Sequence, residues 1–140
     1  MSEKVCVLGL GYIGLPTACL IADKSFFVYG IDVNKQVLRN IMACNVDLNE
    51  PSLGSLLKKC LKNKNLELSS KPRPSDYFLV CTPTPVKFLN DKAEPDLTFV
   101  FQALKSILVY LKNKDCIIIE STIPVGATER IKEYISKYRP

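Results

Sequence analysis

Residues 5–16 are VCVLGLGYIGLP, a short apolar run followed by glycines at positions 9, 11 and 14. The apolar run predicts a buried parallel strand, and the residues after it carry the apolar spacing of a helix. A G-x-G-x-x-G sequence between a strand and a helix is typical of a loop that receives the pyrophosphate of a dinucleotide. In this interpretation the first glycine permits a tight turn, the second lets the backbone approach the phosphates, and the third lets the helix pack on the sheet. The candidate cofactor-binding residues in this loop are Gly9, Gly11, Tyr12, Ile13 and Gly14.

An acidic residue closes the next strand-like run, as a dinucleotide site of this kind requires. Asp32 follows residues 26–31, and its carboxylate can accept hydrogen bonds from the adenosine ribose hydroxyls. The same charge would repel a 2′-phosphate, so the sequence predicts NAD as the cofactor in preference to NADP. Lys35, a further candidate contact, and Arg39 lie close enough in sequence to weaken that preference. The alternative is a glycine turn that binds nothing, with Asp32 serving as a helix cap.

Strands and helices alternate along the chain. Strands are predicted at residues 5–8, 26–31, 66–68, 77–81 and 116–119. Helices are predicted at residues 13–23, 34–43 and 52–62, from Asp96 or Thr98 to about residue 111, and from residue 127 to the end. The pattern predicts an α/β fold, a doubly wound parallel sheet of Rossmann type, in one domain over residues 1–140. Residues 82–85 are predicted to end the fourth strand, and the segment from there to residue 95 is predicted to be a polar loop that is long enough to serve a function.

The composition argues against several kinds of site. The chain has 140 residues, no histidine and no C-x-x-C pair among its six cysteines, so a zinc site and a Cys–His nucleophile lack their parts, and we predict no metal. The net charge is +5, but the lysines at positions 58, 59, 62 and 64 have no interleaved aromatic residues, so we interpret them as a solvated helix face and expect no nucleic-acid partner. No apolar run could cross a bilayer, no signal peptide precedes the first strand, and the scattered thiols suit a reducing compartment. We therefore expect a cytoplasmic protein that does not contact a membrane.

Six short motifs extend the argument beyond the glycine loop. In order they are residues 9–16 (GLGYIGLP), 30–32 (GID), 50–53 (EPSL), 80–85 (VCTPTP), 94–97 (EPDL) and 120–126 (ESTIPVG). Together they resemble the NAD-binding domain of the UDP-glucose/GDP-mannose dehydrogenase family and cover nearly the whole chain. Within that family, the P-T-P and E-P-D motifs look like the branch that acts on UDP-N-acetylhexosamines, with UDP-N-acetyl-D-mannosamine as the expected sugar.

The later motifs add candidate site residues. Thr84 follows the fourth predicted strand, and Ser121 and Thr122 follow the fifth, so all three should lie at the same sheet edge as the glycine loop. Their hydroxyls can bond to the nicotinamide half of the cofactor, and Thr122 can also support catalysis through a water near the reacting carbon. The alternative is that Thr84 and Thr122 cap turns. Glu120 could bond backbone groups or approach the ligand, and for Glu50 a capping role is the simpler explanation.

The resemblance implies oxidation of the sugar C6 alcohol to a carboxylate, with two NAD reduced in turn and a cysteine thioester formed between the two oxidations. In the family that cysteine lies in a region after the NAD-binding domain, as do most contacts to the UDP-sugar, so we expect these residues alone to bind cofactor without catalysis. The full-length family implies a homo-oligomer, and we expect unpartnered apolar surface to promote self-association. Two alternatives remain open: a stand-alone NAD-binding regulatory module without chemistry, and a decayed remnant that folds poorly.

Overall fold

The computed structural model describes residues 3–46, 51–89 and 92–139. The strands are β1 (Lys4–Leu8), β2 (Phe27–Ile31), β3 (Leu66–Ser69), β4 (Tyr77–Val80), β5 (Val86–Leu89), β6 (Lys92–Pro95) and β7 (Cys116–Ile119). The helices are α1 (Gly14–Asp23), α2 (Lys35–Met42), α3 (Pro51–Lys62), α4 (Thr98–Ile107) and α5 (Ala127–Tyr138). Among the described residues, no helix is long and apolar enough to cross a membrane.

Five of the strands form one parallel sheet in the order β3-β2-β1-β4-β7. The chain builds outward from β1 to β3, then returns to the other side of β1 to continue with β4 and β7. The predicted doubly wound α/β fold is therefore confirmed. The strands β2 and β3, which follow β1 in the chain, lie on one side of it, and β4 and β7 lie on the other, so the strand order reverses between β1 and β4. In sheets of this kind, ligands bind at the carboxyl ends of the strands where the order reverses.

Each face of the sheet carries its own hydrophobic core, because side chains alternate along a strand. In β1, Val5 and Val7 enter the core that is shared with α1, α2 and α3. Cys6 and Leu8 enter the opposite core, which is shared with α4 and α5. The α1 helix contributes buried side chains at a helical spacing, namely Leu15, Ala18, Cys19 and Ala22. Two packed faces hold the sheet rigid beneath the loops at its carboxyl edge.

The prediction of a polar loop that extends to residue 95 is wrong from residue 86 onward. Val86–Leu89 and Lys92–Pro95 pair as an antiparallel hairpin outside the main sheet. One of its faces carries Val86 and Phe88, which are exposed. Lysine, glutamate and proline are depleted in strands, so the composition of this segment concealed the pairing.

One helix boundary differs from expectation, and the structure decides a second that the sequence left open between Asp96 and Thr98. The α4 helix ends at Ile107 and not at residue 111. Its start is at Thr98, where Asp96 Oδ1 accepts a hydrogen bond from the backbone N–H of Thr98 at 3.0 Å. Cys116 lies in the strand predicted at residues 116–119 and is exposed, because β7 is an edge strand with one face uncovered.

Candidate functional site

The loops at the carboxyl ends of β1, β2, β4 and β7 enclose a cavity of about 610 Å³. It is bounded on a further side by α4. Eight of the residues predicted from sequence line it together: Gly9, Gly11, Tyr12, Ile13, Asp32, Thr84, Ser121 and Thr122. These residues come from four separate stretches of the chain, and the parallel sheet brings them to one edge.

The glycine loop is fixed to both neighbouring strands. Gly9 has φ of 94°, a left-handed conformation that side chains disfavour. Its N–H donates to Ile31 O at 2.8 Å, which ties the loop to the end of β2. A Cβ at Gly9 would lie 2.7 Å from the backbone oxygen of Cys81, just after β4. The position therefore admits only glycine, for reasons of both conformation and space.

The other two glycines differ in what surrounds them. A Cβ at Gly14 would lie 1.8 Å from the backbone oxygen of Gly9 and 3.0 Å from Cys81 Cβ, so α1 packs against the loop with no room for a side chain. A Cβ at Gly11 would meet no atom within 4 Å. Gly11 faces the cavity, so the space beside it is available to a ligand.

The first turn of α1 carries the features of an anion-binding helix terminus. The Ile13 side chain makes no capping hydrogen bond, and no acidic residue occupies the first turn of the helix. Unsatisfied N–H groups and the helix dipole therefore place partial positive charge beside Gly11, Tyr12 and Ile13. Because the first turn of α1 itself carries no acidic side chain, this terminus is suited to a pyrophosphate.

Asp32 has a role that the sequence did not disclose. Its Oδ2 accepts from the backbone N–H of Leu10 at 3.0 Å, and its Oδ1 accepts from the N–H of Asn34 at 2.8 Å. The first bond reaches the middle of the glycine loop, and the second orders the turn into α2. Each carboxylate oxygen can accept more than one hydrogen bond, so both retain capacity for ribose hydroxyls. Asp32 thus holds the loop while facing the cavity.

At the other end of the cavity, Glu120 joins three elements. Its Oε1 accepts from Thr17 Oγ1 of α1, and its Oε2 accepts from Cys81 Sγ after β4, both at 3.3 Å. The sequence suggested that Glu120 would bond backbone groups or approach a ligand. Its partners in the structure are instead two side chains, which the sequence did not indicate. Burial, followed by the hydrogen bond and charge of Glu120, raises the pKa of the Cys81 thiol to about 12. The thiol is therefore a hydrogen-bond donor at neutral pH and a poor nucleophile.

Among the described residues, no group of three histidine, cysteine, aspartate or glutamate side chains is placed to hold a metal ion. What the cavity offers is a row of groups suited to a dinucleotide: an acid at β2, an uncapped helix and open glycine at β1, and hydroxyls beyond β4 and β7.

Comparison with known proteins accords with this geometry. The model of the UDP-glucose/GDP-mannose dehydrogenase family, NAD binding domain, matches residues 3–139. The chain belongs to this family. The resemblance drawn from the motifs is thereby confirmed, and the cofactor of the family domain is NAD.

Relatives within the dehydrogenase family align with almost the whole of this chain, but the alignment covers only about a third of each relative. UDP-N-acetyl-D-mannosamine dehydrogenase of Methanocaldococcus jannaschii is 40% identical over 98% of this chain and 32% of its own length. NDP-N-acetyl-D-galactosaminuronic acid dehydrogenase of Ralstonia solanacearum is likewise 40% identical over 98% of this chain and 32% of its own. The solved UDP-N-acetyl-mannosamine dehydrogenase of Staphylococcus aureus superposes with a TM-score of 0.88, at 36% identity, over 96% of this chain and 33% of that one. The chain thus spans about a third of the length of the relatives it matches.

Two of the predicted cofactor-binding residues of this dehydrogenase domain fall outside the cavity. Gly14 packs behind the loop, as described above. Lys35 is exposed at the start of α2 and is absent from the cavity lining, while Arg39 Nη2 donates to Gln36 Oε1 at 2.7 Å. Glu50 lies outside the described residues.

Ser121 lines the cavity, but its hydroxyl proton is already engaged. Its Oγ lies 2.7 Å from Thr82 O and 3.2 Å from Val80 O, so it donates to the backbone at the end of β4 and can only accept from a ligand. Thr84 is half-buried and Thr122 is exposed. The Thr82 Oγ1, in contrast, is buried at the cavity with no hydrogen-bond partner among the described residues.

One wall of the cavity was not predicted from the sequence. It is built by α4, with additions from the segment after β3: Phe99, Gln102, Ala103, Ser106, Ser70 and Pro72. The α4 residues recur at helical spacing and lie beside the buried stripe of Val100, Leu104 and Ile107. The spacing of these residues indicates that α4 has a second face beside its buried one. It does not indicate that this second face borders the cavity.

Proposed function

We propose that these residues form the cofactor-binding part of a nucleotide-sugar 6-dehydrogenase that oxidises the C6 alcohol of a UDP-N-acetylhexosamine to the uronate with two NAD, with UDP-N-acetyl-D-mannosamine as the preferred sugar. The observation that carries the proposal is the single cavity that unites the glycine loop, Asp32 and the hydroxyls after β4 and β7. The sugar rests on the relatives, since the names of those reported above all contain an N-acetylhexosamine or its acid.

Each part of the cavity has a task in holding NAD. Asp32 accepts hydrogen bonds from the adenosine ribose and disfavours a 2′-phosphate. The uncapped α1 terminus and the space beside Gly11 receive the pyrophosphate. Thr84, Ser121 and Thr122 lie along the nicotinamide half, where Thr122, being exposed, can hold a water beside the reacting carbon. When bound, NAD supplies the hydride acceptor.

The nucleophile of the second oxidation is proposed to lie outside these 140 residues. Cys81 is the one described cysteine that lines the cavity, and its raised pKa and its bond to Glu120 suit a structural thiol. The chain also matches only a third of its relatives' length, so sugar binding, oligomer formation and catalysis are assigned to the remainder of such proteins. All six thiols are free, which suits the cytoplasmic location proposed for the protein.

Calorimetric titration with NAD and NADP tests the proposed cofactor site. We expect NAD to bind, NADP to bind at least about tenfold more weakly, and Asp32→Asn to narrow that gap, because it removes the charge and keeps one acceptor oxygen. Asp32→Ala should in addition weaken NAD, since Leu10 N–H loses its partner. Asp115→Ala is the matched control, because Asp115 lies at the amino end of β7, the opposite edge of the sheet.

A folded chain that binds neither nucleotide would contradict the site. Equal affinity of the wild-type chain for both nucleotides would contradict the role of Asp32. For the catalytic claim, the purified chain is incubated with NAD and UDP-N-acetyl-D-mannosamine, and absorbance at the NADH band is followed. No turnover is expected, and steady NADH production would overturn the assignment of the nucleophile to another region.

A further inference from the structure

The charged side chains that line the cavity are all acidic. Its lining includes two acidic residues, Asp32 and Glu120, and no lysine or arginine from the described part of the chain. Asp32 has an evident task at the β2 end. Glu120 stands at the opposite end, immediately after β7, and the ordinary recognition of ribose and phosphate gives it none.

The charge of Glu120 is not neutralised by its neighbours. It forms no salt bridge with any described residue. Its two contacts, the Thr17 hydroxyl and the Cys81 thiol, are neutral donors that orient the carboxylate without cancelling its charge. Burial is the main cause of the raised pKa of Cys81, and the hydrogen bond and charge of Glu120 raise it further, because a thiolate beside the carboxylate is disfavoured.

The strand order fixes which part of a dinucleotide this carboxylate faces. The cavity runs from β2 through β1 to β4 and β7. With the adenosine ribose at Asp32 and the pyrophosphate at the α1 terminus, the remaining half of the molecule extends toward β4 and β7. That half carries the nicotinamide ring, which is cationic in NAD⁺ and neutral in NADH, whereas the phosphates and adenosine are identical in the two forms.

We propose that Glu120 makes this site select the oxidised cofactor, because an uncompensated carboxylate at the nicotinamide end attracts the cationic ring and has no such interaction with the reduced ring. The inference rests on the proposed NAD-binding function and goes beyond it. Its consequence is that NADH leaves more readily than NAD⁺, which suits a reaction that must exchange a spent cofactor for a fresh one at the same site.

The test is the ratio of the NADH and NAD⁺ dissociation constants, measured by calorimetry on the intact 140-residue chain. Wild type should bind NAD⁺ more tightly, and Glu120→Gln should reduce the ratio by roughly five- to tenfold, the size expected for one charge pair at a partly solvated site. Glu120→Asp keeps the charge and should retain most of the preference. Glu133→Gln removes an equal charge from an exposed position on α5 and should leave the ratio unchanged.

The outcomes separate a charge effect from a structural one. If Glu120 only braces α1 against β4, Glu120→Gln will weaken both forms equally and leave the ratio intact, and this result would overturn the proposal. A wild-type chain that binds NADH as tightly as NAD⁺ would also overturn the proposal for Glu120, but it would not contradict the proposed NAD-binding function. A chain that binds neither form would refute the proposed function itself. Higher salt should lower the wild-type ratio and have little effect on that of Glu120→Gln.

Discussion

The three glycines of the loop provide a sharp test, because the structure assigns opposite consequences to the same substitution at two of them. At Gly14, a Cβ would lie 1.8 Å from Gly9 O. The loop and helix would have to separate by roughly 1.2 Å to reach the 3.0 Å below which such contacts essentially never occur. The clash is with backbone and has no flexible side chain to relieve it, so Gly14→Ala should cost at least about 3 kcal/mol of stability and lower the unfolding midpoint by about 10 °C.

Gly11→Ala should do the reverse. The new Cβ meets no atom within 4 Å, and Gly11 does not have a positive φ. Stability should be unchanged or higher by about 0.5 kcal/mol, because alanine restricts the unfolded chain. The methyl group would occupy the space through which a pyrophosphate approaches, so NAD affinity should fall by at least about tenfold.

Thermal unfolding followed by circular dichroism, together with calorimetric titration with NAD, measures both effects on the same samples. Wild-type NAD affinity in Gly11→Ala would refute the placement of the pyrophosphate. A wild-type unfolding midpoint in Gly14→Ala would refute the packing argument. Met42→Ala, an exposed change on α2 away from the loop, serves as the control for handling and concentration.

Two further predictions concern titration and thiol chemistry. Hydrogen bonds from Lys87 and then Thr98 lower the pKa of Asp96 from 3.8 to about 2, so its ionised form stabilises the fold above its ordinary pKa, and that contribution is lost as pH falls toward 2. Asp96→Asn should therefore be less stable than wild type at pH 6, with the difference closing below pH ~4 in thermal unfolding, and a difference independent of pH would contradict this. In alkylation with iodoacetamide at neutral pH, followed by mass spectrometry, exposed Cys116 should react well before Cys81. Glu120→Gln should accelerate labelling of Cys81, and an unchanged Cys81 rate in that variant would contradict the bond assigned to Glu120.

Local signals in the sequence were sufficient for most of the secondary structure. The strand at residues 116–119 was predicted with the bounds that the structure gives, because four consecutive residues of small or branched apolar type are bounded by charged ones. The helix predicted from residue 34 begins at Lys35, because the Asn34 side chain caps α2 by accepting from the N–H of Gln36 at 2.9 Å. The glycine loop was recognised because its requirements, a tight turn and close packing, are met by residue type within six positions.

The hairpin shows where such signals end. Val86 and Phe88 alternate with Lys87, as expected for a strand, but the partner strand is Lys92–Pro95, whose residues have low strand propensity. The two segments pair because residues of one lie opposite residues of the other, and neither segment's sequence alone shows this. One-dimensional composition therefore predicted a loop where the structure has two paired strands.

By itself, the sequence determined the alternation of strands and helices, the glycine loop, Asp32 and the family to which the chain belongs. Only the tertiary structure decided that Asp32 holds Leu10, that α4 walls the cavity, and that Glu120 meets Thr17 and Cys81 across separations of 103 and 39 residues. The physical reason is that propensities and motifs act over a few neighbouring residues. Which polar side chains become partners depends on the strand order β3-β2-β1-β4-β7, because that order brings distant parts of the chain together. The strand order is in turn fixed by the burial of two hydrophobic cores, one on each face of the sheet.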